Sequence, residues 1–367
     1  MKHILIDGTP MSRQMDGLTQ YILNVVLNLD TSLCQYTLLV RPNQCPDSYL
    51  DLLRTTGVTV QEVDIAPIGP KRELQFARYL RTNSHFDAAF IPSNQFPVSL
   101  RIPSVYVVHD LIYEQFPLQL GRLSVLKRWY LRLLVRIGLV RAKYVVAVSN
   151  ATKQDILRHH GLVFDEKIRV IYEGWEHMIK ANTSQRPLHL PSWKNYLLYV
   201  GSSRGHKNLE RLLQAIQLAS LPNDWGLVLV GDMSHLPMAT LQHIQRHTRI
   251  YTAGYVTDEE KVWFYEHAAA VILPSLLEGF GIPILEAFYY NKPLLVSSQA
   301  AHQEVAGQAA IYFNPYDAND IARTIEHFVA GEGVDETVNQ RDRLAQFSWQ
   351  KCAEQVSYLL KKICNEG

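Results

Sequence analysis

Short, nearly continuous apolar runs recur along this sequence and set its frame. Six fall in the first half, "KHILID", "YTLLV", "DAAFI", "SVYVVHD", "KYVVAVS" and "KIRVIYEG". Six more fall in the second, "NYLLYVGS", "GLVLVGD", "RIYTAGY", "AAVILPS", "PLLVSS" and "AAIYFNP". Most lead through a loop into a stretch of helical periodicity. A strand wetted on one face alternates apolar and polar residues, whereas an unbroken apolar run suits a parallel strand covered on both faces. Repeated strand–helix alternation therefore predicts an α/β chain of two successive doubly wound parallel sheets.

A chain of 367 residues is long for one hydrophobic core, and about 100–200 residues per domain points to two. Residues 176–195, "EHMIKANTSQRPLHLPSWKN", hold turn formers, two prolines and little periodicity, so the boundary is expected near Thr183. That gives domains of 1–180 and 181–346. The tail "FSWQKCAEQVSYLLKKICNEG" reads as a helix that either caps the second domain or crosses back to the first.

Apolar residues make up 47% and charged residues 19%, too much to bury for a disordered chain. The formal net charge of +1 supplies no global field for a nucleic-acid partner. Four cysteines lack C-x-x-C spacing, so neither a zinc knuckle nor a disulfide framework is expected, and a reducing compartment fits best. With no signal h-region and no apolar run of membrane-spanning length, a cytoplasmic protein is expected, soluble or resting on a surface.

The stretch "SLLEGFGIPILEAF" exceeds what a core strand leading into a core helix requires. Glu278-Gly279-Phe280-Gly281 reads as a turn after a buried strand, and Pro283 fits the first position of a helix. The free N–H groups and positive dipole end of that helix would face the mouth of the sheet, where glycines admit an anion or a sugar hydroxyl. Glu286 is expected in the first helical turn and Glu278 at the strand's carboxyl end. Two acceptor-only carboxylates suit vicinal hydroxyls such as a ribose diol and a hexose. The structural alternative is that Glu286 complements the helix dipole and Glu278 is a solvated turn residue.

In "YVGSSRGHKNLERLLQA" a strand passes into a small-residue loop and then a helix that Asn208 can cap. Arg204 and Lys207 stand just before that helix, the arrangement of a phosphate cradle or of an ordinary turn. Neither a Walker A motif nor a G-x-G-x-x-G fingerprint occurs. His109 ends a buried strand in "PSVYVVHDLIYEQFP", placed either to face a ligand or to satisfy local backbone groups. Gly17 opens a helix after the first strand and would let a phosphate approach.

No acidic residue lies between Glu114 and Asp155, a span rich in lysine and arginine that includes Arg122. Arg128, Arg132 and Arg136 follow i, i+4 spacing and form one stripe on a helix. Either the stripe is a solvated face, or the helix rests on anionic lipid, which attracts each such cation by about 1 kcal/mol.

Taken together, these stretches resemble the retaining GT-B glycosyltransferases of group 1, family four, along nearly the whole chain, and within them the mannosyltransferase branch. The most specific match is E-x7-E with internal G-F-G-x-P, in "PSLLEGFGIPILEA". Supporting matches follow in family order: "VHD", "VAVSNATKQDIL", "KIRVIYEG", "YVGSSRGHKN", "VLVGD", "AGYVTDEE", "EVAGQAAIYFNPYD" and "FSWQKCAEQ". The resemblance implies two Rossmann-like domains facing a central cleft, with the closing helix, 347–367, crossing back to complete the first.

The same resemblance implies roles. Glu286 would hold the ribose, and Glu278 the donor sugar with the backbone N–H groups of Phe280 and Gly281. Lys207 would neutralise the diphosphate, with Arg204 as a second partner and Gly17 admitting phosphate from the first domain. His109 would contact the hexose near the reacting carbon, and the backbone at Tyr255 and Val256 would meet the nucleobase. The first-domain loop departs from the family pattern, reading Asp16-Gly17-Leu18, and "AFYYNKP" after Glu286 replaces a small-residue run.

The implied reaction transfers a hexosyl group from a nucleoside-diphosphate sugar, GDP-mannose before a UDP-sugar, to a glycan or lipid-linked glycan acceptor, with retention. The setting implied is bacterial lipopolysaccharide or capsule synthesis. No cofactor is expected beyond the donor, and the absence of a D-x-D motif in the sequence argues for metal independence. Rival readings are a sugar-nucleotide epimerase or phosphorylase of the same fold, a non-catalytic nucleotide-sugar-binding subunit, and a dehydrogenase, which the missing glycine fingerprint disfavours.

Overall fold

The structure, a computed structural model, describes residues 1–32, 34–45, 47–116, 124–180, 186–187, 190–332 and 337–366. Thr183 and Arg122 lie outside the described residues. The chain divides into two compact units, Met1–His177 with Ser348–Gly367, and Met178–Phe347.

In the first unit seven strands, β1 (Lys2–Asp7), β2 (Cys34–Val40), β3 (Thr59–Glu62), β4 (Ala88–Ile91), β5 (Ser104–Val108), β6 (Tyr144–Ala147) and β7 (Ile168–Val170), form a sheet. Its order is β3-β2-β1-β4-β5-β6-β7, with every pairing parallel. In the second, β8 (Asn195–Val200), β9 (Trp225–Val230), β10 (Ile250–Gly254), β11 (Ala270–Leu273), β12 (Leu294–Ser297) and β13 (Ile311–Phe313) form a sheet in the order β10-β9-β8-β11-β12-β13, also parallel throughout. These are two Rossmann-like sheets of the GT-B kind. β3 was not expected: "TVQE" is short, mostly polar and on the sheet edge, so it lacks the unbroken apolar run that marks the other strands.

The order of each sheet fixes where a ligand can bind. The first strand of each unit sits inside its sheet, β1 between β2 and β4, and β8 between β9 and β11. At those positions the chain leaves adjacent strands in opposite directions, opening a crevice at their carboxyl ends. The loops after β8 and β11 border that crevice in the second unit.

The closing helix, Trp349–Asn365, belongs to the first unit. Ser348 caps it by accepting from Lys351 N, and the Glu176 carboxylate accepts from both Ser348 Oγ and Trp349 N. Trp349 is 1% exposed, donates through Nε1 to His177 Nδ1 at 3.1 Å, and meets Tyr21 edge-on at 5.8 Å. Gly174 makes this junction possible: a Cβ there would stand 2.0 Å from Trp349 N.

The arginine stripe is placed differently from expectation. On the helix Ser124–Arg141, Arg128 donates to Glu114 Oε2 at 2.8 and 3.0 Å, and Arg132 pairs with Glu114 Oε1 at 3.5 Å. Arg132 also donates to the His159 carbonyl at 3.1 Å, and Arg136 to that of His160. These carbonyls close the helix Asn150–His160, whose negative dipole end attracts the cations. Besides Lys127, Arg136 and Arg141, the helix exposes an apolar row: Leu126, Trp129, Leu133 and Val140 are each more than half exposed.

Candidate active site

After β8 the backbone makes a single 3-10 turn, Gly205–Lys207, before the helix Leu209–Leu218. Asn208 joins them in the left-handed region, φ 58°. Its side chain does not cap the helix as expected. Instead Nδ2 donates to the Pro274 and Pro315 carbonyls at 3.0 and 2.7 Å, tying this loop to those after β11 and β13. Leu276 N donates to the His206 carbonyl at 2.7 Å, so the loops after β8 and β11 run side by side.

That alignment brings Lys207 Nζ to 2.6 Å from Glu278 Oε1, their side chains 23% and 14% exposed. Burial pushes the Glu278 carboxyl up, but the positive groups around it, Lys207 foremost, outweigh burial and hold it at about 2. His206 and His302 are buried near the same carboxylate, and burial drops both imidazoles to about 4. Both are therefore uncharged at neutral pH, which leaves Lys207 as the cation paired with the Glu278 carboxylate there.

Gly281 ends the turn with φ 107°, a left-handed conformation that favours glycine, and the helix Ile282–Tyr289 follows with Pro283 in its first turn. Glu286 lies one turn into that helix rather than in its first turn, so dipole complementation does not account for it. It is 2% exposed, with Lys261 Nζ 2.5 Å from Oε1 and the Tyr265 hydroxyl donating to Oε2 at 2.5 Å. Lys261 and Tyr265 lie one turn apart on the helix Asp258–His267. Each motif glutamate thus has its own lysine. Sequence reasoning missed Lys261 and Tyr265, although their i, i+4 spacing behind the matched "AGYVTDEE" was the available signal.

The other expected residues are dispersed. Arg204 is exposed and donates to His235 Nε2 at 3.3 Å, with no ion pair to Glu278. Tyr255 is 59% exposed just after β10, and Val256 is half-buried. Phe280 is 3% exposed and packs edge-on against Phe347 at 5.6 Å, while Gly279 is half-buried beside it.

In the first unit Gly17 starts the helix Gly17–Leu27, capped by Asp16, which accepts from Thr19 N at 2.8 Å. A Cβ at Gly17 would meet nothing within 4 Å, so the fold itself does not require glycine there. His109 follows β5 with both ring nitrogens turned to acceptors: Nε2 is 3.0 Å from the Pro92 carbonyl and Nδ1 is 3.5 Å from Glu173 Oε1. Tyr21 meets the ring edge-on at 4.7 Å. Burial pulls the imidazole down, but Glu173, the Pro92 carbonyl and Asp110 outweigh it and raise His109 above its ordinary value. The structural alternative for His109 is thus partly realised, since its ring does satisfy a backbone carbonyl.

Comparison with known proteins gives the chain a family. The description Glycosyltransferase Family 4 matches residues 15–177, and the description Glycosyl transferases group 1 matches residues 181–348. Together they take in nearly the whole chain. The chain belongs to this glycosyltransferase family.

Among the relatives of this glycosyltransferase is O-antigen chain mannosyltransferase B of Escherichia coli, 29% identical over 225 residues, 58% of this chain and 59% of that one. O-antigen chain mannosyltransferase RfbU of Salmonella typhimurium is 30% identical over 213 residues, 57% of this chain and 56% of that one. D-rhamnosyltransferase WbpZ of Pseudomonas aeruginosa is 30% identical over 228 residues, 59% and 54%. The matches thus span rather more than half the length of these curated relatives. Solved structures share the fold: HepE of Anabaena, in complex with UDP and glucose, superposes with a TM-score of 0.74 at 18% identity over 98% of this chain and 99% of that one. The glycosyltransferase WaaG, involved in lipopolysaccharide biosynthesis, superposes with 0.73 at 16% identity over 97% and 99%.

Proposed function

We propose that the chain transfers a hexosyl group, with retention, from a nucleoside-diphosphate sugar to a hydroxyl of a glycan or lipid-linked glycan in bacterial cell-surface polysaccharide synthesis. The observation that carries this reading is the Lys207–Glu278 pair on adjoining loops at the switch point of the second sheet, where open α/β sheets bind ligands. GDP-mannose is the proposed donor, supported by the mannosyltransferase relatives. The D-rhamnosyltransferase relative adds activated rhamnose to the donor panel.

Cleavage of the anomeric C–O bond builds negative charge on the departing diphosphate. Lys207 lies close to the N-terminus of the helix that follows its loop, and so is suited to stabilise that charge, an effect worth about 3–4 kcal/mol for a well-placed donor. Its charge is shared with Glu278 in the ion pair. A diphosphate competes for the ammonium while sugar hydroxyls donate to the carboxylate, so donor binding exchanges one ion pair for two sets of charge-assisted hydrogen bonds. Glu286, oriented by Lys261 and Tyr265, is proposed to accept from the ribose hydroxyls. His109 is proposed to contact the hexose, Phe280 and Gly281 to offer it backbone N–H groups, and Tyr255 and Val256 to meet the base. Arg204 and Gly17 are proposed to serve the diphosphate. The acceptor attacks from the face the leaving group vacates, as the family resemblance implies.

Peripheral contact with an anionic membrane is also proposed, through the outward row Leu126, Trp129, Leu133 and Val140 rather than the arginines. Arg101, Arg141, Lys143 and Lys167 line a depression that also includes Val140, giving the apolar row a basic margin.

A panel of GDP- and UDP-sugars, read as nucleotide release with and without mannose-containing acceptors, tests the reaction. Acceptor-dependent release from GDP-mannose, persisting in EDTA, is expected. Product formation from donor alone would favour an epimerase, and no release from any donor would favour a non-catalytic subunit.

A further inference from the structure

His302 is 1% exposed and was absent from the expected site. Its ring hydrogen bonds fix one tautomer. The Ser297 hydroxyl lies 2.6 Å from the Ser275 carbonyl, which can only accept, so the single hydroxyl proton is committed to that bond. Ser297 Oγ is also 2.8 Å from His302 Nδ1. With its proton already placed, Oγ can only accept there, so Nδ1 carries the hydrogen and Nε2 carries a lone pair. No hydrogen bond to Nε2 is seen among the described residues, and Nε2 is not one of the fully buried unpartnered atoms, so it keeps access to a ligand.

The edge of the ring bearing Nε2 faces the glycine turn. A Cβ placed on Gly281 would stand 3.4 Å from His302 Cδ2, the carbon bonded to Nε2, so the glycine leaves space beside that edge. Glu278 and Lys207 are near enough for their charges to act on the imidazole, and burial keeps it neutral. An accessible lone pair on a neutral ring beside the Lys207–Glu278 pair is an acceptor that a ligand hydroxyl can meet.

We propose that His302 Nε2 accepts a hydrogen bond from a hydroxyl of the donor sugar, making His302 a specificity-determining residue beside Glu278. This rests on the glycosyltransferase reading above. Glu278 and His302 are then two acceptors facing the sugar, and a donor lacking the hydroxyl that meets His302 leaves its lone pair unmatched. A site built to hydrogen-bond a hydroxyl rejects the analogue without it more strongly than an apolar pocket rejects an added group.

His302→Asn tests the proposal, because the asparagine amide can keep the bond to Ser297 while the acceptor at the Nε2 position is lost. Calorimetric titrations with GDP, GDP-mannose, UDP and UDP-glucose separate sugar from nucleotide binding. The expected result is that the wild type binds one nucleotide sugar more tightly than its nucleotide. The variant then loses about five- to ten-fold in affinity for the nucleotide sugar and none for the nucleotide. Single-deoxy analogues of that sugar should reveal one position at which the wild type loses affinity and the variant does not. Equal weakening of nucleotide and nucleotide sugar, or unchanged affinity for both, would overturn it. His302→Leu, with its thermal midpoint followed, separates a folding defect from a binding one. A wild type that binds none of the four would instead remove the glycosyltransferase reading itself.

Discussion

Lys207 Nζ lies 2.6 Å from Glu278 Oε1, so two side chains assigned to opposite ends of a donor neutralise each other in its absence. Truncating one partner of a fully buried pair costs about 3–5 kcal/mol by stranding the other charge; with both side chains partly exposed, about 2–3 kcal/mol is expected. Lys207→Met and Glu278→Gln should each lower stability in urea unfolding. The double variant should lose clearly less than the sum, because neither charge is then stranded. Lys207→Met should also lower kcat by roughly 10²–10³ through lost leaving-group stabilisation. Strictly additive stability losses would contradict the coupling.

Glu286 takes a hydroxyl from Tyr265 and an ammonium from Lys261. A hydrogen bond to a charged group is worth about 1.5–3 kcal/mol. Tyr265→Phe should therefore leave Glu286 less firmly oriented and weaken nucleoside-diphosphate binding by about ten-fold, with kcat at saturating donor little changed. Calorimetry with the nucleotide and steady-state kinetics together check the split; a kcat loss without an affinity loss would contradict a ribose role.

How far the sequence carried these assignments can be seen at particular residues. Twelve of the thirteen strands were legible from apolar runs, and β3 was not, because an exposed edge strand of Thr, Val, Gln and Glu has no such run. The E-x7-E turn was legible because Gly281 and Pro283 dictate local backbone. The Lys207–Glu278 contact joins residues 71 apart and exists only because β8 lies beside β11, a consequence of sheet order that no local pattern encodes. The arginines show the same limit. Spacing placed Arg128, Arg132 and Arg136 on one face, but only the packing of Glu114 and the end of the helix Asn150–His160 decides that their guanidinium groups dock on protein.

That packing separates two kinds of surface variant. Arg128→Glu should destabilise the protein by opposing Glu114, which is 5% exposed and pairs with it. Trp129→Ser with Leu133→Ser should leave stability nearly unchanged, since both side chains are exposed, and should reduce sedimentation with phosphatidylglycerol vesicles several-fold. Undiminished sedimentation of the serine variant would remove the apolar row as a membrane contact.

His206 and His302 make the second unit sensitive to mild acid. Their folded values of about 4 lie below the ordinary 6.5. Above pH 6.5 neither state binds a proton there, and stability is complete. Below it the unfolded chain takes up protons the folded one refuses, so stability falls as pH drops from 6.5 towards 4. The loss approaches about 1.4 kcal/mol per pH unit for each buried histidine. Glu278, held at about 2 against an ordinary 4.5, loses its own contribution only as pH falls through about 4.5, below the pH 7 to 5 interval of the test. The unfolding midpoint should drop between pH 7 and 5, less steeply in His302→Asn. A wild-type midpoint flat over that range would contradict the burial of neutral imidazoles.

His109 responds in the opposite sense. Both of its nitrogens face acceptors and its value is raised, so its stabilising contribution is present below the ordinary histidine value and is lost as pH rises through the folded one. Glu173→Gln removes the charge while preserving shape, and should lower the His109 value. The ring nitrogen shifts of His109, followed by nuclear magnetic resonance across pH 5 to 9, report this without any assay of transfer. An unchanged titration in Glu173→Gln would mean that the 3.5 Å contact does not govern the charge of His109, and any acidic limb shared by the wild-type and variant activity profiles would then have to come from another group.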